Sequence, residues 1–186
     1  MQQRLCNEAI PYLKQIIREN IEYEQPILSN EDRLVDINFN EDLTITFLVN
    51  DSDTELFKYV QFRDLQLEQI NSKTLLDIGI NNLYSLAEEN GLRIQELDDD
   101  CSALLLDGNF EATLVLLDDL WDNTLNQYAP DGFAVAIPSR DVLAFCNLNS
   151  NKGIQKLKNV ISNVWENGEY LLTDKILKRN EGKWTF

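Results

Sequence analysis

The chain has 186 residues, with 32 acidic side chains against 16 basic ones, a net charge of −16 and a pI near 4.2. A surface of that sign repels phosphate backbones and anionic head groups, which argues against nucleic-acid and membrane partners. There is no histidine. That removes Ser-His-Asp and Cys-His relays and any cysteine/histidine zinc site.

A chain of this length fits one domain, 1–186, with a helix and small meander over 1–70 and the main meander, a helix and a hairpin over 71–186. Its hydrophobic content of 44% can fill a core without a staple. Cys6, Cys101 and Cys146 are scattered, with no CxxC pattern. Reduced thiols and a cytoplasmic setting are the expectation. No apolar signal core opens the chain, and no run reaches the roughly 18 apolar residues of a membrane span. The acidity would attract a basic protein or a cation, or it serves only to keep the protein soluble and monomeric.

Leu5–Asn20 reads as an amphipathic helix, with Leu5, Ala9, Leu13, Ile16 and Ile17 at helical spacing. Pro11 either sits in the first turn or kinks it, and Pro26 closes the segment. Leu34–Phe39 and Leu43–Val49 alternate as strands around Asn40-Glu41-Asp42. Asn50–Thr54 is a polar turn, and Glu55–Phe62 a third strand. Ser72 is a candidate N-cap for a helix to about Asn90, which Gly91 stops in a left-handed conformation. Gly79 inside that helix suggests close approach to another element.

Leu92–Leu97 and Cys101–Leu106 read as strands around Asp98-Asp99-Asp100. Asp107-Gly108 is a favoured two-residue hairpin pair, which makes Phe110–Leu116 a returning strand. The competing reading is a helix capped by Asn109, through Phe110, Leu114, Leu117 and Trp121. The strand is preferred, with Asp118 capping a short helix to Gln127. Ala129-Pro130-Asp131-Gly132 is a turn. Phe133–Ile137 and Val142–Asn147 are strands joined through Pro138-Ser139-Arg140-Asp141. Ser150 or Asn151 starts a helix to Asn167, and Tyr170–Lys178 with Lys183–Phe186 forms a last hairpin. The order describes an α+β domain, mainly antiparallel β-sheet with about four helices packed on one face.

Three segments together resemble the YtpQ-like family of uncharacterised bacterial proteins: Leu104–Trp121, Ala134–Phe145 and Leu171–Trp184. The resemblance implies a bacterial cytosolic protein and carries no activity.

The candidate chemistry lies in carboxylates. Asp107, Glu111 and Asp118 could converge on a hard divalent cation, as a cation-dependent hydrolase would need. The plainer reading makes Asp118 a cap, Asp119 a partner of the helix dipole and Asp122 a solvated residue. On a helix from Asp118, residues 118 and 122 share a face while 119 points elsewhere. Trp121, among Asp118, Asp119 and Asp122, is the first choice for an exposed interface anchor, against a core or rim role. Arg140 belongs to a hairpin turn or recognises an anion. No Gly-rich phosphate loop occurs, so no cofactor is expected. The leading expectation is a non-catalytic acidic binding protein that engages a basic protein partner, as an immunity protein engages a basic toxin.

Overall fold

The computed structural model describes residues 5–16, 29–51, 56–98 and 100–186. Pro26, the end of the expected first helix, most of the turn after Asn50, and Asp99 lie outside the described residues. The fold is α+β with antiparallel sheets, and the chain divides into two compact units, Met1–Ser85 and Leu86–Phe186.

In the first unit, the expected helix at the start of the chain is replaced. Leu5–Glu8 forms one 3₁₀ turn, and Ile10–Gln15 is strand β1. Pro11 explains the difference. Inside a helix it would remove a hydrogen bond and clash with the preceding turn, whereas among the described residues β1 is an edge strand that pairs only with β3. β3 (Leu43–Asp51) is the centre of this sheet. β2 (Ile37–Asn38) and β4 (Leu56–Tyr59) share its other edge. The third strand ends early because Phe62 opens helix α1 (Phe62–Glu68), whose Asp64 carboxylate accepts the Gln61 amide at 2.8 Å. Helix α2 (Ser72–Glu89) is capped one residue earlier than expected. The Asn71 carboxamide oxygen, rather than Ser72, accepts the Thr74 amide at 2.9 Å. Gly79 does mark a close approach: a Cβ there would stand 3.1 Å from Pro11 Cδ and 3.4 Å from the Phe47 ring.

The second unit is a six-stranded antiparallel sheet in the order β10-β9-β7-β8-β6-β5. Its strands are β5 (Arg93–Asp98), β6 (Cys101–Leu105), β7 (Phe133–Ser139), β8 (Val142–Asn147), β9 (Ile176–Asn180) and β10 (Lys183–Thr185). Period-two alternation sorts the side chains. Cys101, Ala134, Ala136, Ala144 and Cys146 face helix α3 (Asn151–Asn167) and pack on its Leu157 and Ile161. Small residues dominate that face because a helix must lie close against it. Ser150 caps α3 by accepting the Gly153 amide at 3.0 Å. β9 and β10 close through Glu181-Gly182, both at positive φ, as a two-residue turn matched to strand twist requires.

The other face of the sheet carries Phe133, Phe145 and Leu104, and it is covered by the segment between β6 and β7. Here the expected returning strand does not form, nor does one continuous helix capped by Asn109. Ala112–Leu116 is a 3₁₀ helix, Leu120–Thr124 a π-helical turn, and Asn126–Tyr128 another 3₁₀ turn. β6 pairs instead with β8. The reason lies in two side chains. Asp107 Oδ1 accepts the Asn109 and Phe110 amides at 2.9 and 3.2 Å, and Glu111 Oε1 accepts the Leu106 and Gly108 amides at 2.9 and 2.8 Å. Four amides that a hairpin ladder would have used are satisfied locally, which favours a compact turn over a strand.

Candidate functional site

The residues singled out from the sequence do not form one group. Trp121 is fully buried, at 0% exposure. Its indole N–H donates to the Leu114 carbonyl at 2.9 Å, and its ring meets Phe133, Phe145 and Trp184 edge-on at 5.1, 5.9 and 5.2 Å. The expectation of an exposed interface anchor is therefore corrected: Trp121 is the centre of an aromatic core. Trp184 repeats the device, donating to the Val115 carbonyl at 2.9 Å. Two indoles thus satisfy carbonyls of the 3₁₀ segment, whose hydrogen-bond geometry leaves such groups poorly paired.

Asp118 and Asp122 do share a face, and what they face is Arg179. Its Nε donates to Asp122 Oδ1 at 3.0 Å, and its Nη2 lies 2.7 Å from Asp122 Oδ2 and 2.9 Å from Asp118 Oδ1. Burial pulls the Arg179 pKa down, and the two carboxylates outweigh it, so the net shift is upward. The guanidinium lies over the Trp184 ring, 5.1 Å from its centroid. Asp119 points elsewhere, accepting from Asn123 Nδ2 at 2.6 Å. Arg140 is not part of this group. It sits just past the far end of β7 from Phe133, about 20 Å along the strand. There its guanidinium stacks 3.6 Å above the Tyr170 ring.

The alternative metal set does not assemble. Asp107 and Glu111 are occupied by loop amides and Asp118 by Arg179. Among the described residues no group of three cysteine or carboxylate side chains could hold a metal ion. Asp107, Glu111 and Asp118 therefore do not form the shared cation site that the alternative, a cation-dependent hydrolase, would use. The thiols are not poised nucleophiles. Burial, and then the charges of Glu68 and Asp64, push Cys6 up to about 12. Burial first, with Asp98 second, pushes Cys101 to about 11 against the opposing charge of Lys156; burial and then Cys101 push Cys146 to about 12. All three are protonated at neutral pH, and a protonated thiol is a weak nucleophile.

What the structure adds is a cleft at the end of the sheet where the β5–β6 turn meets the β8–α3 connection. Its volume is about 350 Å³, and Glu96, Asp98, Asp100 and Tyr128 contribute to its walls. Asp98 lies 3.4 Å from Lys156, and Asp100 accepts the Ser150 hydroxyl at 3.1 Å. Tyr128 is 42% exposed. The sequence signals the aspartates as a turn that follows the strand carrying Glu96, but nothing local places Tyr128 beside them, because Tyr128 lies just beyond the short helix expected to end at Gln127. Arg179 was also missed. Its signal was an arginine on the inward side of an alternating strand, in register with Leu177.

Among the described residues no helix is long and apolar enough to cross a membrane. Comparisons with protein-family models, curated proteins and solved structures find no match, so the likeness to the YtpQ-like family rests on the three segments that suggested it.

Proposed function

We propose that the protein is a non-catalytic, cytoplasmic binding protein that engages a basic protein partner, in the manner of an immunity protein with a basic toxin. The observation that carries the reading is the acidic cleft. Glu96, Asp98 and Asp100 share its lining with the exposed Tyr128, and Lys156 reaches Asp98. An aromatic side chain beside carboxylates suits a lysine- or arginine-rich surface, because the ring takes apolar and cation–π contact while the acids take charge. The recognition centre moves from Trp121 to Tyr128, since an anchor must be accessible before binding. The net charge of −16 supports the same reading by steering a cationic partner at long range.

The test starts with capture of a partner from lysate at low salt, followed by affinity measurement across ionic strength. The expected result is weakening of at least roughly tenfold between low and high salt, a loss of about 1.4 kcal/mol. A Glu96→Gln/Asp98→Asn variant should weaken binding at low salt by a similar factor. Affinity that ignores both salt and these substitutions would sink the reading.

A further inference from the structure

Charge is segregated inside the second unit. Residues 86–150 carry thirteen acidic and two basic side chains, whereas residues 151–186 carry four acidic and seven basic ones. A strongly acidic chain thus has a cationic stretch, and the fold gathers it. Lys158, Lys175 and Lys178 line a groove of about 830 Å³ between α3 and β9, with Asp174 the carboxylate among them.

The groove has a geometric origin. Helix α3 lies over β6, β7 and β8. Its apolar stripe runs beyond what those strands cover, so Ile154 and Trp165 are only partly buried, Trp165 at 37% exposure. Ile154, Ile161 and Trp165 form one wall of the groove, and Ala134 and Ile176 lie on the sheet side. From Ile154 to Trp165 the helix rises about 16 Å at 1.5 Å per residue. An apolar channel of that length, with three lysines in its lining, Lys175 resting its ammonium over the Phe186 ring, matches a molecule with a long apolar body and one anionic head. Lysine suits both ends of such a molecule, since its methylene stem extends the apolar wall and its ammonium reaches the head group. The volume falls in the range of small-molecule sites.

We propose that this groove binds a free long-chain carboxylate. A small anion is favoured over a large one by the range of the field. A compact ligand feels mainly the lysines within a Debye length of roughly 8–10 Å. A nucleic acid, an anionic membrane or an acidic protein would also meet the rest of a unit with seventeen acidic against nine basic residues. The groove is distinct from the acidic cleft, so this inference goes beyond the reading above and does not depend on it.

Dodecanoate is the probe, titrated below its micelle concentration and followed by calorimetry and tryptophan emission. The expected result is saturable one-to-one binding with a change in Trp165 emission that Trp165→Phe abolishes while the heat remains. Lys158 and Lys178 are exposed, so Lys158→Glu/Lys178→Glu should leave the thermal melt near wild type and weaken dodecanoate at least tenfold. Dodecyltrimethylammonium should not bind. The proposal is overturned by an absence of saturable binding, by equal binding of the cationic amphiphile, by indifference to the charge reversal, or by association with phosphatidylglycerol vesicles or an acidic peptide without binding of free dodecanoate.

Discussion

Arg179 grips Asp122 through two parallel contacts, Nε to Oδ1 at 3.0 Å and Nη2 to Oδ2 at 2.7 Å, from a position only 2% exposed. The pair joins β9 to the π-helical turn, and Asp118 adds a third contact from a side chain that is 75% exposed. The two aspartates should therefore not be equivalent. Asp122→Ala leaves a buried guanidinium short of two charge-assisted bonds and should cost about 1–3 kcal/mol. Asp118→Ala removes one contact that water can replace and should cost less than about 1 kcal/mol. Urea midpoints of the two variants measure the difference. Equal losses would mean that the bidentate geometry contributes nothing beyond charge.

Arg179 also marks how far the sequence could be read. β7, β8 and α3 were legible, because alternation, a capping serine and a helical apolar stripe are all local signals. β1 was not, since Leu5, Ala9 and Leu13 sit at helical spacing and Pro11 was the one residue that argued otherwise. The stretch from Asp107 to Tyr128 misled most. Its Asp-Gly pair does place Gly108 at positive φ, but the exposed Asp107 and the buried Glu111 both hold loop amides, and that choice depends on an aromatic core assembled from β7, β8 and β10. The same long-range packing decided the candidate site. Trp121 among three aspartates looks exposed in sequence, yet Phe133, Phe145 and Trp184 enclose it. Local sequence also could not set Lys158 beside Lys175 and Lys178, which come from different elements.

Gly153 gives a test of how tightly α3 lies on the sheet. A Cβ at this position would stand 2.6 Å from the Asp100 carbonyl oxygen and 2.6 Å from Cys146 Cβ. Alanine would gain about 1 kcal/mol in helix propensity. The clash is with backbone and with a buried side chain, and relieving it requires α3 to move off the strands, at a typical overpacking cost of about 1–3 kcal/mol. The clash should win, so Gly153→Ala should lower the thermal midpoint. An unchanged or raised midpoint would show that the helix has slack at its first turn.

The buried thiols make stability pH-dependent in one direction. In the unfolded chain a thiol titrates near 9.0, whereas in the fold Cys101 titrates near 11 and Cys146 near 12. The folded values are raised, so the fold keeps protons that the unfolded chain releases. Their contribution is intact below about pH 9 and is lost progressively as pH climbs toward the folded values. Each thiol in that window adds a slope of about 1.4 kcal/mol per pH unit. Two thiols in one unit should therefore steepen the alkaline loss of stability by up to roughly 2.7 kcal/mol per pH unit. Lysine and tyrosine titrations overlap this range, so the decisive comparison is with Cys101→Ala/Cys146→Ala. Denaturant midpoints of wild type and variant should fall in parallel up to about pH 8.5 and diverge above it, with wild type falling faster. Parallel curves across the whole range would mean that the two thiols are far more accessible to solvent than their packing against Leu157 and Ile161 implies.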